Sequence, residues 1–365
     1  MHLKPLYIVG TQRDVGKTTL SIGLVHALHT RGLSVAYTKP VGQRSQTVEG
    51  QTLHDDERVI ARLLGPKDHL QTDMVLPLGA GRVEKEIFSF NPKALLDKAA
   101  EAFDGLRRNH DAVIIEAMGH VAMGSVLGVS AADVAARIGA RALLVSGGGI
   151  GRAIDDIALC ATFIRARGAD LMGVIVNKVW VEKYDRVRQA TAQGLRNLGM
   201  TPLGTLPFQE QLASPTMSQV RQRIGGEILS GQQRMNVRVR HTLVAAMRAE
   251  HMINYMQVGS LVITPGDRTD NIEAAAATQL PGSSVPRIAG MILTGGFQPD
   301  PSVLETICEA DLPVLLVSQD TYAAASKVHE TVFKITPDDE ERIEVAKSLV
   351  AQYVDVDAII QGLGM

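Results

Sequence analysis

A chain of 365 residues exceeds the ~250 at which a single hydrophobic core usually stops growing, so two folding units are expected. Its charges balance, with 37 Lys and Arg against 39 Asp and Glu, and no basic cluster is interleaved with aromatics, which argues against a nucleic-acid partner. No run approaches the ~20 apolar residues of a membrane span and no cleavable leader is evident, so a cytoplasmic protein with no membrane partner is expected.

Residues 1–210 alternate short β-rich runs with helical stretches. The strand candidates are Leu6–Val9, Ser34–Thr38, Ala112–Glu116, Ala142–Ser146 and Leu171–Asn177, apolar enough to be buried on both faces. Between them, Leu95, Leu96, Ala99, Phe103 and Leu106 share one helical face, with Asn91-Pro92 as cap and first turn. The pattern predicts an α/β fold: a mostly parallel sheet with helices on both sides.

A polar stretch over Gln209–Arg240, broken by Pro215 and Gly225-Gly226, places a boundary near Ser214 and so predicts domains 1–213 and 214–365. The second pattern is a smaller α/β one. It has strands at Leu261–Thr264, Ala289–Leu293 and Val314–Val317, a turn at Pro265-Gly266-Asp267 and a helix over Ile272–Ala277. Cys160 and Cys308 fall in apolar, helical stretches and read as buried reduced thiols.

The densest signal is Gly10-Thr11-Gln12-Arg13-Asp14-Val15-Gly16-Lys17-Thr18-Thr19, set between the strand Tyr7-Ile8-Val9 and a helical stretch from Leu20. This is the order a phosphate cradle needs. Backbone N–H groups of loop and helix N-terminus face phosphate, Lys17 brings a cation to the β and γ oxygens, and the Thr18 hydroxyl suits Mg²⁺. The strict motif asks for glycine at position 11, where the chain has Thr11 with Gly10 just before it. The first domain is therefore expected to bind ATP with Mg²⁺, using Thr11, Asp14, Val15, Gly16, Lys17, Thr18 and Thr19.

Two downstream residues extend the site. Glu116 ends a hydrophobic strand, where a carboxylate on the Mg²⁺ side belongs, although a solvated strand-end Glu is the blander reading. Lys39 ends the second strand at the ligand-binding edge of an open parallel sheet, or is simply a surface lysine. The Ser146–Arg152 glycine turn reads equally as ligand approach or tight packing, and Gly266-Asp267-Arg268 as an anion pocket or an Asp-stabilised turn. His120 reads as a loop histidine rather than a base.

Together Gly10–Thr18, Lys39-Pro40-Val41, Ile115-Glu116 with Gly119, Gly173–Asn177 and Leu203–Pro207 resemble dethiobiotin synthetase over about the first 210 residues. The resemblance implies that Lys17 and Lys39 are the catalytic cations, facing phosphate and the substrate-side anion, and that Thr18 and Glu116 flank Mg²⁺. It further implies that Asn177 and Pro207 lie against the adenine, and that Asp56, chosen from Asp55-Asp56-Glu57 by its spacing to Arg62 and Gly65, is another metal ligand. The second half, through Leu261–Arg268, Ile292–Gly296 and Pro313–Val317, resembles the DRTGG domain, although residues 268–271 read Arg-Thr-Asp-Asn.

That domain order resembles the N-terminal, noncatalytic portion of long bacterial phosphate acetyltransferases. Since the chain stops at Met365, the reading that follows is a Mg·ATP-binding regulatory or accessory protein without acetyltransferase activity. A homo-oligomer and a small anionic metabolite are its expected partners. The rival reading is an ATP-dependent enzyme of dethiobiotin synthetase type, phosphorylating a carboxylate or carbamate. A partitioning-type ATPase is disfavoured because Gln12 stands where those proteins carry an extra lysine.

Overall fold

The computed structural model describes residues 3–39, 41–42, 46–48, 51–53, 55–65, 76–77 and 80–364. Pro40 of the Lys39-Pro40-Val41 stretch lies outside the described residues, and so does the side chain of Asp55. The chain is α/β and divides into two compact units, Met1–Gln209 with Lys334–Met365, and Glu210–Phe333.

In the first unit the apolar runs form six strands: β1 (Leu6–Gly10), β2 (Val35–Thr38), β3 (Ala112–Glu116), β4 (Arg141–Gly147), β5 (Asp170–Val179) and β6 (Pro202–Pro207). They lie in the order β6-β5-β4-β1-β3-β2, every pairing parallel. Such a sheet needs cover on both faces, and β1, β2 and β3 are buried along their whole length. The chain leaves β1 for β2 on one side and later crosses to β4 on the other. The C-terminal end of β1 is thus the switch point of the sheet, where open α/β folds bind ligands.

Helix α1 (Lys17–His29) follows β1, α2 (Asp55–Leu64) follows β2, and α3 (Pro92–Asn109) precedes β3. The Asn91 side chain caps α3 by accepting from the Ala94 N–H at 3.2 Å, with Pro92 in the first turn as expected. Helix α1 is apolar nearly all round and buries Leu20, Ile22, Leu24, Val25 and Leu28. A helix of that kind needs a second partner besides the sheet.

The partner comes from the end of the chain. The expected second domain of 214–365 is therefore too long: α6 (Glu340–Tyr353) and α7 (Val356–Leu363) belong to the first unit. Helix α6 buries Ile343, Ala346, Leu349 and Val350 and packs on α1, closely enough that a Cβ on Gly23 would come within 2.2 Å of the Val350 side chain. Arg141 donates to the Gly362 carbonyl at 2.7 Å and the Lys4 N–H to that of Leu363 at 2.9 Å, fixing α7 near the start of β1 and β4. An amphipathic stripe shows which face of a helix is buried but not against what, so the sequence pattern carries no sign of this return.

The second unit is built from β7 (Glu227–Ser230), β8 (His241–Val244), β9 (Ser260–Pro265), β10 (Gly290–Thr294) and β11 (Val314–Leu316). Their order is β7-β11-β10-β9-β8, parallel except for β7 against β11. Val262, Met291, Leu293 and Val314 pack on one face, and Leu261, Ile263, Ile292 and Leu315 on the other, the period-two alternation of a sheet covered twice. Helices α4 (Met217–Ile224) and α5 (Thr269–Ala277) belong to opposite covers. Strand β7 falls inside the polar stretch Gln209–Arg240, for which the sequence reading named no strand. Cys160 is buried as expected, but Cys308 is exposed, because its helix turns Val303 and Ile307 inward instead. Among the described residues no helix is long and apolar enough to cross a membrane.

Candidate functional site

The loop from Thr11 to Gly16 joins β1 to α1 at the switch point. Gly16 caps α1 with φ 96°, a left-handed conformation that suits glycine, and a Cβ there would lie 2.1 Å from the Asn177 amide nitrogen. No side chain caps α1 and its first turn holds no acidic residue, which leaves its leading N–H groups for an anion. Lys17 folds back over the loop and donates to the Gly119 carbonyl at 2.6 Å. A Cβ on Gly10 would sit 2.9 Å from the Gln12 carbonyl oxygen and 3.1 Å from Lys17 Nζ, so the glycine is needed at position 10 and Thr11 is free to donate to Ser146 Oγ at 3.3 Å.

Strand β5 braces the loop from the other side. The Asn177 amide donates to the Val15 carbonyl at 2.9 Å, and Lys178, itself left-handed at φ 60°, donates to the Asp14 carbonyl at 2.6 Å. Asp14 is exposed and left-handed at φ 58°, while Thr19 is half-buried in the first turn of α1. Pro207 ends β6 opposite Val179, the last residue of β5, and Asn177 lies two residues before that end on the neighbouring strand. The Asn177 side chain is occupied with the loop and with the Lys178 N–H, a bracing role that the expected contact with adenine does not include.

Charged residues gather at the ends of β2 and β3. Glu116 is 2% exposed, which removes the solvated reading, and accepts from Thr18 Oγ1 at 2.8 Å, Ser21 Oγ at 2.9 Å and the Tyr37 hydroxyl at 2.7 Å. Lys39 is buried too, its ammonium 2.8 Å from Glu116 Oε1 and hydrogen-bonded to Asp56. Lys334 reaches Asp56 Oδ2 at 3.1 Å. Thus Thr18, Asp56, Glu116, Lys17 and Lys39 do come together, with Glu116 as the shared partner of Thr18 and Lys39. Sequence reasoning missed Ser21, Tyr37, Lys178 and Lys334. Of these only Lys178, adjacent to Asn177 at a strand end, carried a local sign.

Burial, the largest influence on Lys17, brings its pKa from 10.5 down to about 8, with Glu116 pulling it up and Lys39 pushing it down. Burial also opposes the Lys39 ammonium, but Glu116 and Asp56 on either side raise its pKa above the ordinary lysine value. Burial would lift the Asp56 carboxyl, yet Lys39 and Lys334 hold it well below the usual carboxylate range. The Tyr37 hydroxyl is pushed far up by burial and then by the Glu116 carboxylate it donates to, so it stays a donor.

Does this set suit a divalent cation? Thr18 Oγ1, Glu116 Oε1 and the Asp56 carboxylate are hard oxygens, and Asp56 Oδ1 is buried with no hydrogen-bond partner among the described residues. Those donors fit Mg²⁺, which binds few protein carboxylates and takes phosphate and water oxygens for the rest. No group of three or more His, Cys, Asp or Glu placed for a metal occurs among the described residues.

The remaining motifs resolve toward packing. A Cβ on Gly148 would meet the Lys178 carbonyl at 2.9 Å, so that turn holds β4 close to β5. Exposed His120 accepts the Ala122 N–H at 3.1 Å as a loop residue. The Arg268 fork is taken up by Asp270 at 2.8 Å and the Met247 carbonyl at 2.8 Å. That hydrogen-bonded pairing also sets the Asp270 pKa at about 2.

Comparison with known proteins agrees with this division. Residues 4–216 match the AAA domain family and residues 219–331 the DRTGG domain. The phosphate acetyltransferase of Nitratidesulfovibrio vulgaris is 27% identical over 360 residues, covering 96% of this chain and 50% of that protein. That of Nitrosomonas europaea is 29% identical over 372 residues, covering 98% and 51%. The chain spans about half the length of the curated relatives it matches. Among solved structures, the MinC:MinD cell division protein complex of Aquifex aeolicus has a TM-score of 0.38 at 15% identity over 57% of this chain and 83% of that one.

The order of the two domains, and their likeness to the N-terminal region of long phosphate acetyltransferases, therefore stand. The expectation of a regulatory or accessory protein without acetyltransferase activity does not, since relatives named for that activity match nearly the whole chain. It rested on where the chain ends, which says nothing about activity, and the ligase reading falls with it. Through residues 4–216, the larger part of its length, the chain belongs to the AAA domain family, with a nucleotide-binding P-loop unit followed by a DRTGG domain.

Proposed function

We propose that this chain acts in phosphate acetyl transfer, moving an acetyl group between coenzyme A and phosphate, and that its first unit binds ATP with Mg²⁺. The acetyl-transfer reading is carried by one observation: similarity to phosphate acetyltransferases runs over 96% of the chain rather than over the P-loop alone. The nucleotide reading is supported by Lys17 and the uncapped start of α1 at the switch point.

In this reading Lys17 faces the β and γ phosphates, with the backbone of Thr11, Asp14, Val15, Gly16, Thr18 and Thr19 around them. Thr18, Glu116 and Asp56 would hold Mg²⁺, which supplies charge neutralisation of the phosphates. Lys39 stands toward the anion on the substrate side, and Asn177 and Pro207 flank the base. A small anionic metabolite, a homo-oligomeric state and a cytoplasmic location belong to the same proposal.

The test is an acetyl-transfer assay on the purified chain, with nucleotide binding measured alongside. Acetyl phosphate formed from acetyl-coenzyme A and phosphate supports the reading. No turnover, with ATP still bound, overturns acetyl transfer and leaves the nucleotide site standing.

A further inference from the structure

Lys334 is the first residue of the chain after the second unit, and its ammonium lies 3.1 Å from Asp56 Oδ2 in the phosphate-side cluster. Its carboxylate partner is 1% exposed, and the other oxygen of that carboxylate, Oδ1, has no hydrogen-bond partner among the described residues. The segment that brings Lys334 there is fixed at several points. Arg62 on α2 donates to the Pro337 carbonyl at 2.6 Å and pairs with Asp338 at 3.0 Å and Glu340 at 2.7 Å. Fully buried Arg342 donates to the carbonyl of Lys334 itself at 3.3 Å. Behind it α6 packs on α1, the helix that begins with Lys17.

We propose that Lys334 is a positioning residue of the nucleotide site. The returning segment delivers a third ammonium to Asp56 and, with Lys39, engages its Oδ2 while Oδ1 is left without a hydrogen-bond partner among the described residues. The proposal rests on the nucleotide reading above. Two buried carboxylates repel a polyphosphate unless cations offset them: Lys17 and Lys39 match them one for one, and Lys334 leaves these five groups net positive toward the phosphates. In the absence of Mg²⁺ each ammonium then counts toward phosphate affinity. With Mg²⁺ present the divalent ion supplies most of the offset, and one exposed ammonium matters less.

The experiment titrates the full chain and its Lys334→Ala, Lys334→Arg and Arg62→Ala variants with ATP, once in EDTA and once in saturating Mg²⁺. The Lys334 side chain is 56% exposed, so its removal leaves no cavity and the fold is retained. Lys334→Ala should weaken metal-free ATP binding roughly fivefold and Mg·ATP binding less than about twofold, as expected for an ion pair with one exposed partner. Lys334→Arg should restore the wild-type values, and Arg62→Ala should shift metal-free binding in the same direction as Lys334→Ala. Equal weakening in both media, no weakening, or an Arg variant that behaves like Ala would overturn the role of Lys334. A wild-type chain that binds ATP in neither medium would instead refute the nucleotide reading, and this inference with it.

Discussion

The two units bury polar groups of different kinds. In the first, Lys17, Lys39, Asp56, Glu57 and Glu116 are buried around the ends of β1, β2 and β3, and Asp339 with Arg342 within the returning segment. Among the described residues the second unit buries only neutral polar groups, such as Thr264, Asn271 and Thr294. There the Asn271 amide donates to the Ala245 and Met247 carbonyls at 3.2 and 3.1 Å, and the Thr294 and Thr321 hydroxyls share a hydrogen bond of 2.7 Å. Each buried ion costs several kcal/mol before its partners offset the loss of water. Since the second unit closes a covered, mostly parallel sheet with amides and hydroxyls, the charges of the first are not a requirement of the layer. They mark a place for a charged ligand.

Removing the loop cation is the strongest way to break this contrast. Lys17→Ala takes away the ammonium that begins α1 and folds back over the loop, and a roughly hundredfold loss of ATP affinity is expected by calorimetry. Unchanged affinity would make Lys17 an ordinary buried lysine.

A change at Glu116 comes next. Glu116→Gln keeps the shape but leaves Lys39 with Asp56 as its nearer carboxylate partner, so a loss of about 2 kcal/mol in urea unfolding is expected. The same variant should lose most of the Mg²⁺ dependence of nucleotide binding. Equal Mg²⁺ titrations of variant and wild type would demote Glu116 to a structural acceptor for Thr18, Ser21 and Tyr37.

The second unit supplies the control. Asn271→Ala leaves the Ala245 and Met247 carbonyls without that donor and should cost about 1 kcal/mol of stability with no change in ATP affinity. A fall in ATP affinity would show that the neutral unit takes part in the site after all.

Much of the first unit is legible in its residues. Strand, glycine loop and helix in sequence specify the phosphate cradle, because each part has a local geometric requirement. The buried position of Glu116 follows from the apolar strand before it. Residues that act from a distance leave no such trace. Tyr37 reads as one more strand aromatic, and its hydrogen bond to Glu116 depends on β2 lying beside β3. Lys334, in Val332-Phe333-Lys334-Ile335, has no neighbouring motif at all. The return of α6 was equally hidden, since its stripe of Ile343, Ala346 and Val350 suits any apolar surface. In the second unit β7 escaped notice because its Glu227 and Ser230 interrupt the apolar pattern of so short a strand.

If phosphate meets the buried ammonium of Lys17, the lowered pKa of about 8 makes the encounter directly measurable. In the nucleotide-free protein this lysine loses its proton as pH rises through about 8, and a bound polyphosphate favours the charged form, so binding near that pH takes up a proton. Affinity for Mg·ATP should therefore fall between about pH 7 and pH 9. Calorimetry at pH 8 in two buffers of different ionisation enthalpy should give heats that differ by the uptake of roughly half a proton per nucleotide. Identical heats in the two buffers, or no binding of Mg·ATP at all, would contradict the account.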